Sequence, residues 1–434
     1  MSPLIVGAAG IVALFVLILS QVPIAIAMII VGIAGFMLQT GWEPALTLLA
    51  SEPAHLFSSI DLATVPLFLM MGSFASVAQF SDDLYAAAAA LFGHRRGGLA
   101  YATLGGCAAF GAICGSSAAT AATFSKIALP EMLRRGYGAG FAAGTVAAGG
   151  ALKSLIPPSL VIILYCIVSK TFIFDVFAAA AIPALLTIAL NALAIWVNVR
   201  LQPNLAPTSE RLPWSARLAA LKRAASPIAM MAIAFGGLYS GIFTVNEAAA
   251  VAAILALAFS LVRRRMTWAR FVESLCQAAG TSVMLYMILI GASVFTYFVN
   301  VARVPETFIH TVAGLGMPPL AVIFALLLVY IVLGTVFEEI SAILITLPFV
   351  LPIIIQLGYD PIWWGVLMVI QVELALIHPP MGVIIFLLHG ENRSIPMGAM
   401  YRGVIPFVLA DIIVLLAIVL FPQIALWLPR LLGS

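Results

Sequence analysis

Residues 115–120 read GSSAAT and residues 155–159 read LIPPS, and both motifs lie inside a long apolar part of the chain. A prolyl pair within an apolar helix removes backbone donors and clashes with the preceding turn. The helix therefore breaks there and leaves carbonyl groups without partners in the helix. In lipid, such a break has to face protein or a wet cavity. The stretch from Gly115 to Ser159 thus predicts a polar site within a membrane.

The same pattern returns 222 residues later in the chain. Three dipeptides recur in register, namely Leu129-Pro130 at Leu351-Pro352, Gly136-Tyr137 at Gly358-Tyr359, and Pro157-Pro158 at Pro379-Pro380. Two broken helices at matching positions of two halves are typical of secondary transporters, in which the breaks line the binding site.

The composition excludes most other classes of protein. Of the 434 residues, 64% are hydrophobic and only 9% are charged, whereas about a quarter of the residues in a soluble domain are charged. This composition predicts a polytopic membrane protein. The basic residues form no face or patch interleaved with aromatic residues, so nucleic-acid binding has no support.

The basic residues also suggest how the apolar segments are oriented. Arg95-Arg96 precede the apolar segment 97–130 and Arg134-Arg135 follow it. Basic flanks mark the cytoplasmic side of a membrane, so this segment is predicted to be a re-entrant hairpin with its tip near Gly115. Residues 319–356 are predicted to form a second hairpin, entered from the outside, with its tip at residues 334–339.

The sequence therefore predicts an all-α polytopic membrane protein with inverted-topology repeats, two re-entrant hairpins and two broken transmembrane helices. Both termini are expected outside, because most Lys and Arg residues fall in connections predicted to be cytoplasmic. Residues 40–59 are expected to form a polar connection, and an amphipathic helix at 268–279 is expected to precede a separate span at 281–300. The expected parts are N-terminal scaffold helices with an interfacial helix (1–96), a first transport repeat (97–199, broken helix 139–168), a linker with scaffold helices (200–318), a second transport repeat (319–421, broken helix 361–390) and a C-terminal tail (422–434).

The hydroxyl groups at the first hairpin tip belong to Ser116, Ser117 and Thr120. Hydroxyl and free carbonyl oxygens suit Na⁺, and helix N-termini suit the carboxylate of an anion. A simpler explanation is that small residues only let helices approach closely. Opposite a broken helix, the ion-binding interpretation is favoured.

Four charged residues fall in apolar segments, where charge is costly and usually functional: Lys153, Glu338, Glu339 and Glu373. Lys153 could hold an anionic substrate, take the place of a bound cation, or form a structural ion pair with Glu338 or Glu373. His378, beside the second prolyl pair, could titrate or donate to a substrate, or it could only cap loose carbonyls.

Together these motifs resemble the large membrane subunit of tripartite ATP-independent periplasmic (TRAP) transporters over essentially the whole chain. The resemblance rests on Gly115 to Thr120, Leu129-Pro130-Glu131-Met132 with Arg134-Arg135-Gly136-Tyr137, Ala148-Gly149-Gly150 through Ser159, Glu247-Ala248-Ala249-Ala250-Val251, and Pro379-Pro380-Met381-Gly382. It implies Na⁺-coupled uptake of a small organic anion, usually a carboxylate, across the bacterial inner membrane. It also implies a periplasmic binding protein, a small four-helix membrane subunit, and an elevator motion as in the ion-transporter superfamily.

The resemblance also implies which residues form the sites. The Na⁺ ligands carried over by position are Ser116, Ser117, Gly150, Ile156 and Pro157 in the first half, and Gly334, Glu338, Ile377 and Pro379 in the second. The candidates for anion binding are Ser117, Thr120, Lys153, Ser159, Glu338 and His378. Two features depart from the family pattern: Lys153 stands where glycine is common, and the pair Glu338-Glu339 replaces a single acid.

Three other classes of function are weaker alternatives. A stand-alone Na⁺- or proton-coupled organic-anion carrier would need no binding protein and could use Glu338, Glu373 or His378. An ion channel would conduct without saturable uptake. An enzyme is disfavoured because the sequence has no pairing of a nucleophile with a base and no Walker motif.

Overall fold

The computed structural model describes residues 3–208, 211–314, 316–337 and 339–432. The described residues form helices and connections and no strands, which confirms the all-α prediction. Eight helical segments among them are long and apolar enough to cross a membrane, and further apolar helices are shorter.

The first half of the chain contains ten α-helices. They are α1 (Pro3–Leu19), α2 (Ile24–Thr40), α3 (Trp42–Phe57), α4 (Thr64–Val77), α5 (Phe80–Phe92), α6 (Gly98–Cys114), α7 (Ser117–Arg134), α8 (Ala139–Ala151), α9 (Leu160–Ser169) and α10 (Ile173–Leu201). The second half continues with α11 (Trp214–Tyr239), α12 (Val245–Val262), α13 (Trp268–Val301), α14 (Val304–Gly314), α15 (Pro319–Val336), α16 (Glu339–Gln356), α17 (Pro361–Ile377), α18 (Val383–Glu391), α19 (Met397–Leu420) and α20 (Gln423–Leu432).

The offset of 222 residues also relates the helices. Adding it to both ends of α7 gives both ends of α16, and α5 to α10 recur in the same order as α14 to α19. The pairs α6 and α7, and α15 and α16, are each joined by a short turn and pack against each other. The repeat inferred from three dipeptides is therefore present in the secondary structure.

Each prolyl pair interrupts a helix, as predicted. In the first repeat, α8 gives way to a 3-10 turn at Leu152–Leu155 and the chain is extended at Ile156 before α9 begins. In the second, α17 runs on to Ile377, and α18 starts after Gly382, which has a left-handed φ of +49°. Both prolyl pairs are joined by cis peptide bonds.

Two expectations about the scaffold were wrong. Residues 40–59 do not form a connection, because most of them belong to α3. Glu52, one of the polar residues of this segment, accepts a hydrogen bond from the Ser293 hydroxyl of α13. The helix expected at 268–279 continues without interruption into the following span, because the lone Gly280 between them is tolerated within a helix. The expected C-terminal tail contains α20, which packs Ala425 and Leu426 against the core.

The two repeats meet at the centre of the structure, around α17 and along the contact between α8 and α19. Among the residues of α17 that the structure describes, Trp363 to Ile377 are all buried. Helix α8 of the first repeat packs against α19 of the second, where a Cβ on Gly403 would overlap the Gly140 carbonyl. Small residues thus bring the two backbones into contact, as is common in membrane proteins.

Candidate functional site

The turn between α6 and α7 is built by glycine and serine. Gly115 ends α6 with a left-handed φ of +76°, a conformation that glycine adopts without strain. Ser116 caps α7: its Oγ accepts from the Ala119 amide at 3.3 Å. The Thr120 hydroxyl donates to the Ser116 carbonyl oxygen at 2.8 Å. Two of the three predicted tip hydroxyls therefore shape the turn itself.

Lys153 lies in the 3-10 turn of the first break and has no exposed surface. Its Nζ donates to the Gly115 carbonyl oxygen at 2.5 Å. The lysine stem lies over Gly111 of α6, where an added Cβ would come within 2.6 Å of the Lys153 Cβ. The ammonium also interacts electrostatically with the carboxylates of Glu339 and Glu373. The first break is thus tied to the first hairpin tip through a buried positive charge.

A chain of hydroxyl groups connects this break to the second hairpin. The Oγ atoms of Ser117 and Ser154 lie 2.9 Å apart. The Ser154 hydroxyl also donates to Glu339 Oε2 at 3.4 Å. By the offset of 222, Glu339 is the counterpart of Ser117, so both hairpin tips meet at the break of the first repeat.

Buried polar groups continue from this junction into the centre of the structure. Gln371 and Glu373 on α17 are 0% and 1% exposed, and their side-chain polar atoms have no hydrogen-bond partner among the described residues. Glu373 interacts electrostatically with Asp411 of α19, whose Oδ1 accepts from the Asn191 amide at 3.1 Å. Since buried charge is costly unless it is compensated, this acidic cluster favours a bound cation or proton.

The second break is organised differently. The His378 amide closes α17 by donating to the Leu374 carbonyl at 2.9 Å, and its Nδ1 is buried without a partner in the described part of the chain. The Tyr401 hydroxyl lies 2.6 Å from the Pro380 carbonyl oxygen and 2.9 Å from that of Met381. Gly334 packs against Ala375, the counterpart of Lys153, so this repeat has an alanine where the first has a buried ammonium.

A cavity of about 1000 Å³ lies elsewhere, between the end of α3, the connection from α9 to α10, the start of α12 and the second half of α13. Its polar lining includes Glu52, Asp61, Lys170, Thr296 and Asn300. The cavity opens on the side that the sequence predicts to be periplasmic. None of the side chains of the tip-and-break junction lines it.

The family of the chain follows from comparison with known proteins. Residues 11–424 match the model of the family described as "Tripartite ATP-independent periplasmic transporter, DctM component". The chain belongs to this DctM family. It is a TRAP transporter large permease, which confirms the resemblance drawn from its motifs.

Three relatives illustrate the range of the DctM family. The C4-dicarboxylate TRAP transporter large permease DctM of Pseudomonas aeruginosa is 33% identical over 404 residues, covering 91% of this chain and 94% of the relative. The ectoine/5-hydroxyectoine permease UehC of Ruegeria pomeroyi is 31% identical over 418 residues and the sialic acid permease SiaM of Vibrio cholerae is 28% identical over 417. Both alignments cover 96% of each chain. These relatives are transporter permeases and not enzymes.

A solved structure supports the same fold for this DctM-family permease. The Alcanivorax borkumensis YdaH transporter, described as having an unusual topology, superposes with a TM-score of 0.60 over 91% of each chain at 15% sequence identity.

The structure brings together part of the predicted site. Ser116, Ser117 and Lys153 lie at one junction with Ser154 and Glu339, whereas Glu338 lies outside the described residues. The other candidates flank the two junctions: Gly150, Ile156, Pro157 and Ser159 lie in or beside the first break, and Gly334, Ile377, His378 and Pro379 lie in the second repeat. Ser159 caps α9 by accepting from the Ile162 amide at 3.4 Å.

Sequence reasoning missed three residues of the buried polar cluster: Gln371, Asn191 and Asp411. Asp411 carried a usable signal, because an acid in the middle of an apolar span is a functional candidate by default. Gln371 and Asn191 carried none, because single neutral amides are common in membrane helices.

Proposed function

We propose that this permease imports a small organic anion, a carboxylate, with Na⁺ as the coupling ion. The observation that supports this most is the junction of Ser117, Ser154 and Glu339, where two hairpin tips and a helix break meet. Relatives named for C4-dicarboxylate and sialic acid transport support an organic acid as the substrate.

The donor groups at the two tips fit Na⁺. Helix breaks and the ends of half-helices supply carbonyl oxygens, which are the usual ligands of Na⁺ in such transporters. We assign the first ion position to Ser116, Ser117, Gly150, Ile156 and Pro157, and the second to Gly334, Glu338, Ile377 and Pro379. The second tip has the additional negative charge of Glu339 nearby, which favours a cation.

The anion is proposed to bind between the tips once Na⁺ has ordered them. Helix α7 points its N-terminus at the junction, and a helix N-terminus attracts negative charge. Ser117, Thr120, Ser159, Glu338 and His378 are the proposed neighbours of the anion, with Lys153 contributing positive charge from behind Gly115. A transport domain without Na⁺ would keep its tips disordered and would move poorly.

The partners follow from the family. We propose that the scaffold helices bind a small four-helix membrane subunit and face membrane lipid, and that a periplasmic binding protein delivers the anion on the side of the 1000 Å³ cavity. The hairpins and broken helices would then move as an elevator against the scaffold in the bacterial inner membrane, with both termini on the periplasmic side.

Reconstitution tests this proposal. The permease, its small subunit and the loaded binding protein are combined in proteoliposomes, and uptake of the labelled anion is measured with an inward Na⁺ gradient. We expect uptake to need both Na⁺ and the binding protein. Uptake that persists when choline replaces Na⁺, or when the binding protein is omitted, would contradict the proposal.

A stand-alone proton-coupled carrier is the second candidate. It is favoured by the acidic cluster of Glu373 and Asp411, because the polar atoms of Glu373 have no hydrogen-bond partner among the described residues. This candidate differs from the first in the driving gradient: uptake would respond to an inward proton gradient in the absence of Na⁺ and of any binding protein.

A further inference from the structure

We infer that Lys153 is a built-in cation which fills the ion position of the first repeat, so that Na⁺ binds and couples through the second repeat alone. This inference rests on the proposed function, because it concerns which of the two tips takes a mobile ion. It assigns Lys153 one of the three roles that its sequence position allows.

The ammonium of Lys153 lies at the end of a helix. Lys153 Nζ donates to the carbonyl oxygen of Gly115, the residue that ends α6. The carboxyl end of a helix is the negative end of its dipole and attracts cations. Carbonyl oxygens of this kind are also the ligands that Na⁺ would use in a broken-helix site. The ammonium therefore occupies the Gly115 carbonyl oxygen and the negative potential at the end of α6, both of which would otherwise be available to a mobile ion.

The side chain of Lys153 is packed closely along α6. Lys153 is fully buried, and its stem lies over Gly111, where a Cβ would meet both the Cβ and the Cγ of the lysine at 2.6 and 2.9 Å. A glycine at this point of α6 gives the stem the space that it needs to reach Gly115. The ammonium is thus held in place by packing along its whole length.

The other two roles of Lys153 are poorly supported by the geometry. A side chain that contacts the substrate would need an open face, but Nζ is enclosed and Lys153 does not line the 1000 Å³ cavity. Of the two partners considered for a structural ion pair, Glu373 has no carboxylate oxygen within 4.0 Å of Nζ, and Glu338 lies outside the described residues. Glu339 and Glu373 act on the ammonium from a longer range.

The second repeat shows the opposite arrangement. The counterpart of Lys153 is Ala375, which packs on Gly334, and the counterpart of Ser117 is Glu339. The break of the first repeat therefore carries a positive charge, which lies near Glu339 as well. Among the described residues, the break of the second repeat has no such resident cation, so it is the break that gains from binding Na⁺.

Equilibrium binding of ²²Na⁺ to the purified permease with its small subunit in nanodiscs tests this inference without any substrate. We expect one Na⁺ for each wild-type chain and two for each chain of Lys153→Ala. Lys153→Met keeps the stem over Gly111 but removes the charge, and we expect it to bind between one and two Na⁺. Lys126→Met is the matched control, because the Lys126 side chain is 73% exposed and its ammonium pairs with Glu391 at 3.5 Å, and this variant should bind one Na⁺.

Each result has a separate meaning. Two Na⁺ bound to each wild-type chain would overturn the inference while leaving Na⁺ coupling intact, and this count decides the matter even if the variants fail to fold. A folded Lys153→Ala chain that still binds one Na⁺ would also overturn it. A wild-type chain that binds no Na⁺ would overturn both the inference and the proposed coupling ion.

Discussion

The two tip-and-break junctions occupy matching places in the repeat, yet their chemistry differs. In the first, Lys153 fills the space behind the tip and bonds to the Gly115 carbonyl. In the second, Ala375 occupies the matching position, and the Tyr401 hydroxyl lies within hydrogen-bond distance of the carbonyl oxygens of Pro380 and Met381. Duplication of a backbone has therefore kept the helix breaks while the charges inside them diverged. The two halves share the break, and on our inference the charge within it decides which ion each half holds.

The largest effect is expected from reversing the charge of the first junction. Lys153→Glu would remove the bond to Gly115 and add a buried acid close to Glu339 and Glu373. Breaking a buried charge arrangement in this way costs about 3–5 kcal/mol. We expect uptake to fall to background and the monodisperse peak in fluorescence-detected size-exclusion chromatography to shrink.

The control for this variant is Lys126→Glu, whose exposed ion pair with Glu391 should contribute only about 0–1 kcal/mol. If Lys153→Glu transported as well as Lys126→Glu, the first junction would not depend on a positive charge.

The second effect concerns the acidic tip of the other repeat. Glu339→Gln keeps the size of the side chain and its contact with Ser154 but removes the negative charge. We expect the Na⁺ concentration for half-maximal uptake to rise about tenfold, which corresponds to about 1.4 kcal/mol of binding free energy. Glu391→Gln, at the end of α18, is the control and should leave this concentration unchanged. Equal Na⁺ dependence of the two variants would remove Glu339 from the ion site.

The third effect concerns the space that Gly111 leaves for the stem of Lys153. Gly111→Ala would place a methyl group against the stem of Lys153, and overpacking of a buried site costs about 1–3 kcal/mol. We expect a lower melting temperature and slower uptake. Gly105→Ala on the same helix is a close control, because an added Cβ there has no neighbour within 4 Å among the described residues. A Gly111→Ala chain as stable as Gly105→Ala would show that the lysine stem is free to move.

The smallest effect is expected at the second break. Tyr401→Phe removes a hydroxyl that lies within hydrogen-bond distance of two carbonyl oxygens at the second prolyl pair. A hydrogen bond of this kind contributes about 0.5–1.5 kcal/mol to stability. We expect uptake to decrease a few-fold with no change in the protein yield. Tyr297→Phe, with its half-exposed ring on α13, should transport like the wild type. A larger loss in Tyr401→Phe than in Lys153→Glu would reverse the order proposed for the two junctions.

The repeated helices were predictable because local signals define their ends. Proline removes a backbone donor and glycine permits a left-handed turn wherever they occur, so the breaks at Pro157 and Pro379 and the turn at Gly115 follow from the residues alone. The family followed from the same motifs, because their order along the chain is specific even where each motif is weak.

The scaffold was less predictable, because tertiary contacts decide it. Glu52 suggested a polar connection, but Ser293 satisfies its carboxylate and lets α3 pack as a helix. The pairing of Ser154 with Glu339 joins residues 185 positions apart, and no local pattern announces such a contact. Lys153 was singled out by its charge, but its role depended on the carbonyl that it reaches.

The most direct test of the difference between the two junctions is the dependence of uptake on Na⁺ in the reconstituted system, compared between wild type and Lys153→Ala. We expect a Hill coefficient near one for the wild type, since one mobile ion would drive each cycle, and a coefficient that rises toward two in the variant. A wild-type coefficient near two, unchanged in Lys153→Ala, would contradict the assignment of Lys153 as a resident cation and would make the two junctions equivalent ion sites.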